Sequence, residues 1–256
     1  MSVVSGWTAH LLTLFPGMFP GPLGVGLSGS AMSKGLWTLK TVDIRAFAGD
    51  KHGSVDGPPY GGGAGMVLRS DVVARALDSV LDDCRGADKA GVARVCLTPR
   101  GLPVSQKDIR RFVSGSGMVL LCGRFEGIDQ RVIEARGLEE ISLGDIVLSS
   151  GEPAALALID ACVRLLPGVM GNDEGLVTES FERELLEYPH YTRPRIWEGL
   201  EVPEILTSGD HKKIDSWRRQ QAEVVTKERR PDMWKRYKSM GLGDKTQVGR
   251  LEGESD

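Results

Sequence analysis

The stretch LCGRFEGIDQRVIE, residues 121–134, decides the fold. An apolar run ends at Cys122, Gly123 lets the chain turn sharply, and Arg124 and Glu126 fall on a short loop before a helix opens. Ligands of open α/β sheets bind outside the carboxyl ends of the strands, so a site belongs on this loop. Taken alone, the segment is equally well a plain strand–turn–helix with surface charges.

Working outward, LGDIVLSSGEPAALALID (143–160) repeats the grammar. A strand is expected over 145–149, then small residues Ser149, Ser150 and Gly151, then a helix opening with Glu152 and Pro153. Proline suits the first helical turn, where its missing N–H costs nothing. Two strand-end loops of small residues suit the walls of a narrow pocket for a bent cofactor with an uncharged head. The helix runs over 152–166 and ends near Arg164, where a lone arginine ordinarily complements the helix dipole. Further strands are expected at 10–15 (HLLTLF), 92–98 (VARVCLT) and 118–122 (MVLLC), with helices over 70–83, capped by Ser70, and 105–114. Continuous apolar strands separated by helices predict an α/β fold with a mainly parallel sheet covered on both faces.

The chain has 256 residues, 41% hydrophobic and 26% charged, enough for one large domain or a medium one plus a small one. No apolar run reaches the length of a membrane span, and the N-terminal segment lacks the basic start and cleavage site of a signal peptide. Four scattered cysteines (Cys84, Cys96, Cys122, Cys162) with no C-x-x-C pair read as buried thiols of a cytoplasmic protein. With four histidines, none at i, i+4 spacing, no metal site is expected from the protein alone. The polar segment 169–181 reads as a linker between a domain over 1–168 and a second over 182–256, whose tail from about 241 is frayed. Residues 211–240 hold ten Lys/Arg against four Asp/Glu, interleaved with Trp217, Trp234 and Tyr237. They form either a solvated helical face or a nucleic-acid surface, where cations neutralise phosphates and aromatics stack on bases.

Two glycine motifs compete for attention. GVGLSG (24–29) fits the dinucleotide fingerprint G-x-G-x-x-G formally, but it follows FPGMFPGPL rather than a buried strand. DGPPYGGGAGM (56–66) has no lysine and no prompt helix start, so it reads as a close backbone approach to something flat or bulky rather than a phosphate cradle.

Taken in order, DGPPYGGGAGM, LTPRG (97–101), LCGRFEGIDQRV, LGDIVLSSGE, LIDACVRLLPGV and YPHYTRP (188–194) resemble the bacterial tRNA (guanine-N1)-methyltransferases, the TrmD family of the SPOUT class. The resemblance runs from LFPGMF (14–19) to VPEILTSGDHKKIDSWRR (202–219). It implies a homodimer with active sites at the interface, a deep trefoil knot closing the α/β domain, and a small all-α domain that grips the tRNA anticodon branch. It implies S-adenosylmethionine held by three loops. These carry Leu97 and Thr98; Gly123, Phe125, Glu126 and Gly127; and Leu143, Gly144, Asp145, Ile146, Val147, Leu148, Ser150 and Gly151. The substrate it implies is the guanosine immediately 3′ of the anticodon, with Asp56, Tyr60, Gly65, Arg124, His190 and Arg193 on the substrate side.

The family's catalytic arginine falls on Arg164 and its catalytic aspartate on Glu179 of TESF, with Asp173 as the nearest rival. Glutamate keeps the carboxylate and adds a methylene. Phe125 stands for a tyrosine, Ser150–Gly151 for a double glycine, Pro153 sits one residue early, and Ala64 replaces a proline. Glu126 is a candidate for assistance linked to Mg²⁺, on which the family's activity depends, or a carboxylate bonded to loop backbone.

Overall fold

The computed structural model describes residues 6–84, 91–171 and 179–241. Asp173, and the tail beyond 241, lie outside the described residues. The chain divides into two compact units, Met1–Gly171 and Asn172–Asp256.

Unit 1 is built on a five-stranded sheet in the order β2–β1–β6–β5–β7, all parallel: β1 Trp7–Thr13, β2 Trp37–Asp43, β5 Val92–Pro103, β6 Gly117–Cys122 and β7 Glu139–Ser142. A two-residue hairpin, β3 Asp56–Gly57 with β4 Val67–Leu68, carries the glycine loop at its tip. The helices are α1 Gly26–Ser33, α2 Ser70–Asp83, α3 Gln106–Val113, α4 Gln130–Arg136 and α5 Glu152–Val163.

Every residue of β6 is buried, because the central strand is covered on both faces. Its alternation sorts the core into two layers. Met118, Leu120 and Cys122 pack with α1, α3 and α5, whereas Val119 and Leu121 pack with α2 and α4. Each fully buried aliphatic side chain contributes about 1.5–3 kcal/mol relative to exposure. Indole N–H groups inside the core are paired: Trp7 Nε1 donates to the Phe112 carbonyl at 3.2 Å and Trp37 Nε1 to that of Ser28 at 2.9 Å.

The expected strand at 145–149 is not one. The last strand of the five-stranded sheet in chain order is β7, and 143–151 is an irregular loop. Gly144, at φ +140, turns the chain; the Ile146 amide donates back to its carbonyl at 2.8 Å, and the Ser142 hydroxyl brackets Gly144 at N (3.1 Å) and O (2.8 Å). The apolar side chains of Ile146 and Val147 are 58% and 85% exposed, so the run is apolar for a reason other than the core. Two smaller corrections concern helix ends. Arg69, not Ser70, is the N-cap of α2, and its guanidinium reaches forward to Asp71. Helix α5 stops at Val163, short of 166, with Arg164 as its C-cap, so the expected end near Arg164 holds and only the longer 152–166 range is corrected. Helix α3 opens on a capping box, Ser105 with Asp108. GVGLSG follows a 3₁₀ turn rather than a strand, as expected.

Unit 2 holds a two-residue hairpin, β8 Ile196–Trp197 with β9 Leu200–Glu201, then α6 His211–Arg229 and α7 Pro231–Ser239. Tyr237 is 2% exposed, stacks on Trp234, donates to Glu223 Oε1 at 2.7 Å and accepts from Arg219 at 2.9 Å. Of the three aromatics, Tyr237 therefore serves the helix–helix core and is not a free stacking platform. Among the described residues no helix is long and apolar enough to cross a membrane. The four cysteines are buried and form no disulfide, and Cys84 Sγ lies 3.6 Å from His10 Nε2.

Candidate active site

At the carboxyl ends of β5, β6 and β7, three loops enclose a cavity of about 300 Å³, at the lower end of the range for small-molecule pockets. The first loop is a bulge. Strand β5 pairs with β7 through Leu97, slips register, and resumes at Leu102, so 98–101 loop outward with Thr98, Pro99 and Arg100 on the cavity wall. Gly101 makes this possible: a Cβ there would fall 2.4 Å from the Ile141 amide nitrogen. Arg100 Nε donates to Glu140 Oε1 at 2.7 Å, and its terminal nitrogen bonds Gln130, which fixes a guanidinium at the wall.

The second loop, 123–127, contributes Gly123, Arg124, Phe125, Glu126 and Gly127. Phe125 adopts φ +59, uncommon for a residue with a side chain, and its ring is 47% exposed. Arg124 stacks its guanidinium over the Phe15 ring at 4.6 Å. The loop is tied to the β3–β4 hairpin: the Glu126 amide donates to Met66 O at 2.9 Å and the Leu68 amide to Gly127 O at 3.0 Å. The third loop contributes Leu143, Ile146, Val147, Leu148, Ser150 and Gly151. Gly151 N donates to Gly123 O at 2.8 Å, and a Cβ on Gly151 would meet Cys122 Cα at 2.8 Å. The two loops thus cross at backbone contact.

Of the residues assigned to the cofactor, Gly144 and Asp145 do not line the cavity; they form the turn that presents Ile146–Leu148 to it. Arg124, assigned to the substrate, lines it. Cys96 lines it too, its thiol pushed up to about 12 by burial and then by the Glu140 charge, against the opposing Arg100. Arg100, Ile128, Ile141 and Ala154 were not singled out from the sequence. Arg100 sits inside the quoted LTPRG motif, which is the one signal that marked it.

The glycine loop stands beside the second loop. Gly61, Gly62, Gly63 and Gly65 all have φ between +80 and +124, and a Cβ on Gly65 would come within 2.4 Å of the Glu126 side chain. Tyr60, at the hairpin tip, is 99% exposed, and Asp56 begins β3. Arg164, at the far end of α5, lies about 18 Å along the helix axis from Glu152, the residue next to the cavity-lining Gly151. Glu179, His190 and Arg193 belong to unit 2. There, His190 packs on Tyr188 with ring centroids 4.7 Å apart, and Arg193 precedes a cis proline. Among the described residues no group of three or more His, Cys, Asp or Glu is placed to hold a metal ion.

A parallel α/β sheet whose strand ends carry a small-residue, glycine-cradled pocket places the chain in the open-sheet α/β class, whose ligand sites lie at this end of the strands. The particular family follows from comparison: the chain belongs to the tRNA (Guanine-1)-methyltransferase TrmD family, which it matches over residues 8–236. A Brucella ovis protein is 59% identical over 229 residues, covering 90% of this chain and 92% of its own length. A Brucella abortus protein is 59% identical with 90% and 91% covered. Both are named tRNA (guanine-N(1)-)-methyltransferase.

Proposed function

We propose that the protein transfers a methyl group from S-adenosylmethionine to N1 of the guanosine immediately 3′ of the tRNA anticodon, as a cytoplasmic homodimer. The observation that carries the reading is the convergence of three separate loops, 97–100, 123–127 and 143–151, on one cavity in a chain of this family. The cavity suits the cofactor chemically. Exposed apolar side chains (Ile146, Val147, Leu148) and the Phe125 ring offer a bed for a flat heterocycle, and the Gly123–Gly151 crossing offers backbone groups. When bound there, S-adenosylmethionine supplies an electrophilic methyl group. The crossing of the 143–151 loop over the 123 loop is also where a trefoil knot would close.

Guanine N1 carries a proton and is a poor nucleophile, so that proton must leave as the methyl arrives. The Glu179 carboxylate takes it as general base. Negative charge then grows on the exocyclic oxygen, and the Arg164 guanidinium stabilises it. The 18 Å of α5 between Arg164 and the pocket end of that helix favours a dimer, in which a second copy's arginine completes the site. Asp56, Tyr60 and Gly65 receive the base, Glu126 beside Gly65 assists, with Mg²⁺ if the ion takes part, and the helical unit with His190 and Arg193 holds the anticodon branch. Salt links already occupy several cations of 211–240, among them Arg218–Asp215, Arg219–Glu223 and Arg230–Asp232. Phosphate contact therefore falls to others, such as Lys212, Lys227 and Arg229.

The test is Glu179→Gln. Turnover should fall by about 10²–10⁴, the usual contribution of a positioned base, while calorimetric binding of S-adenosylmethionine stays as in the wild type. Near-normal turnover would instead indicate chemistry needing no base on this segment, such as methylation of a ribose hydroxyl. No binding heat, with or without tRNA, would leave a non-catalytic RNA-binding protein.

A further inference from the structure

One buried polar pair has no part in the chemistry above. Glu152, first residue of α5, is 1% exposed, and its Oε1 accepts from the Thr13 hydroxyl at 2.6 Å, joining residues 139 apart in sequence. Thr13, itself fully buried at the end of β1, accepts in turn from the Phe15 amide at 2.9 Å. Glu152 Oε2 has no hydrogen-bond partner among the described residues. A carboxyl group with one oxygen unsatisfied in the core is costly, and a fold seldom keeps one without a use for it. Its place at the N-terminus of α5 offsets part of that cost, since the helix dipole favours negative charge there.

The segments it joins are the ones that shape the pocket. Immediately before Glu152, Gly151 bonds Gly123 and lines the cavity; two residues after Thr13, Phe15 carries the Arg124 guanidinium, also on the cavity wall. We propose that Glu152 and Thr13 form a positioning pair: their buried bond locks the end of β1 to the start of α5. It thereby sets both the Gly151–Gly123 crossing and the Phe15 platform under Arg124. The proposal rests on the reading of the cavity as the S-adenosylmethionine site.

The experiment separates positioning from mere stability. Thr13→Val alone leaves a buried carboxyl group unpaired and should lower the melting temperature. The double variant Thr13→Val/Glu152→Leu removes the buried carboxyl group together with its donor and leaves only the half-buried Phe15 amide to find another acceptor, so it should cost less in folding than Thr13→Val alone. In that double variant the melting temperature should recover toward wild type, whereas S-adenosylmethionine binding by calorimetry should stay weakened about tenfold. Without ligand, the Gly151 amide should exchange its hydrogen faster than in the wild type. Glu152→Gln, with Thr13 intact, keeps an acceptor for the Thr13 hydroxyl and should bind S-adenosylmethionine as the wild type does. Wild-type affinity and wild-type Gly151 exchange in the double variant would overturn the proposal and reduce the pair to a structural bond. Failure of the cofactor reading is seen separately, as absence of binding heat in the wild type.

Discussion

Gly151→Ala is the sharpest perturbation the structure offers. Gly151 has φ −77, so alanine meets no backbone strain there, and any effect comes from space alone. The added Cβ would lie 2.8 Å from Cys122 Cα and 2.9 Å from Gly123 N, all backbone atoms that no rotamer change can move. Ordinary contact begins near 3.4 Å, so the loop or α5 must retreat by roughly half an ångström. Forcing a methyl into packed surroundings costs about 1–3 kcal/mol. If the folded state absorbs that cost, the melting temperature drops by about 2–12 °C, given about 2–4 °C per kcal/mol for a chain of this size. If instead the 143–151 loop relaxes outward, the same energy must be recovered to rebuild the pocket, and S-adenosylmethionine binds about 5- to 150-fold more weakly. Differential scanning calorimetry and titration calorimetry read the two routes on one sample. A variant with both melting temperature and affinity unchanged would refute the crossing as the pocket's floor.

Other outcomes follow from the same geometry. Gly65→Ala places a side chain at φ +81, costing about 1–2 kcal/mol, and pushes Glu126 aside; Gly65→Val adds bulk, and both should reduce methyl transfer more than stability. Equal losses, read by turnover and by thermal melting, would make the loop structural. Raised pKa values keep Cys96 and Cys162 as neutral thiols: at pH 9 a thiol of pKa about 12 is roughly one part in a thousand thiolate. Iodoacetamide at pH 9 should therefore spare both in the native protein, and rapid labelling followed by mass spectrometry would contradict the burial. Lys212→Ala, Lys227→Ala and Arg229→Ala should weaken tRNA binding evenly across tRNAs. Each should flatten the salt dependence of the affinity by about 1 in log–log slope, and an unchanged slope would assign these cations to a solvated face.

Legibility in the sequence tracked burial. GMVLLC and SDVVARALDSVLDD were readable because their apolar patterns are those of a strand covered on both faces and a helix covered on one. Strand β2, WTLKTVD, lies at the sheet edge with four polar residues and carried no such signal. DIVLS misled for an instructive reason: its side chains are apolar to line a cavity, and apolarity alone does not say what will cover it. Small residues at strand ends located the pocket, since only a close crossing demands them. The Thr13–Glu152 bond, by contrast, joins positions 139 apart and is invisible until the fold exists. The extra wall residue Arg100 depends on a register slip in β5 that no local pattern encodes.

The central claim is the site of methylation, and one measurement addresses it directly. A transcribed tRNA with guanosine 3′ of its anticodon is incubated with the protein and isotopically labelled S-adenosylmethionine, then digested and analysed by mass spectrometry. The account predicts a single labelled product, 1-methylguanosine, at that position. Label on another atom, on a ribose, or at another nucleotide would contradict it.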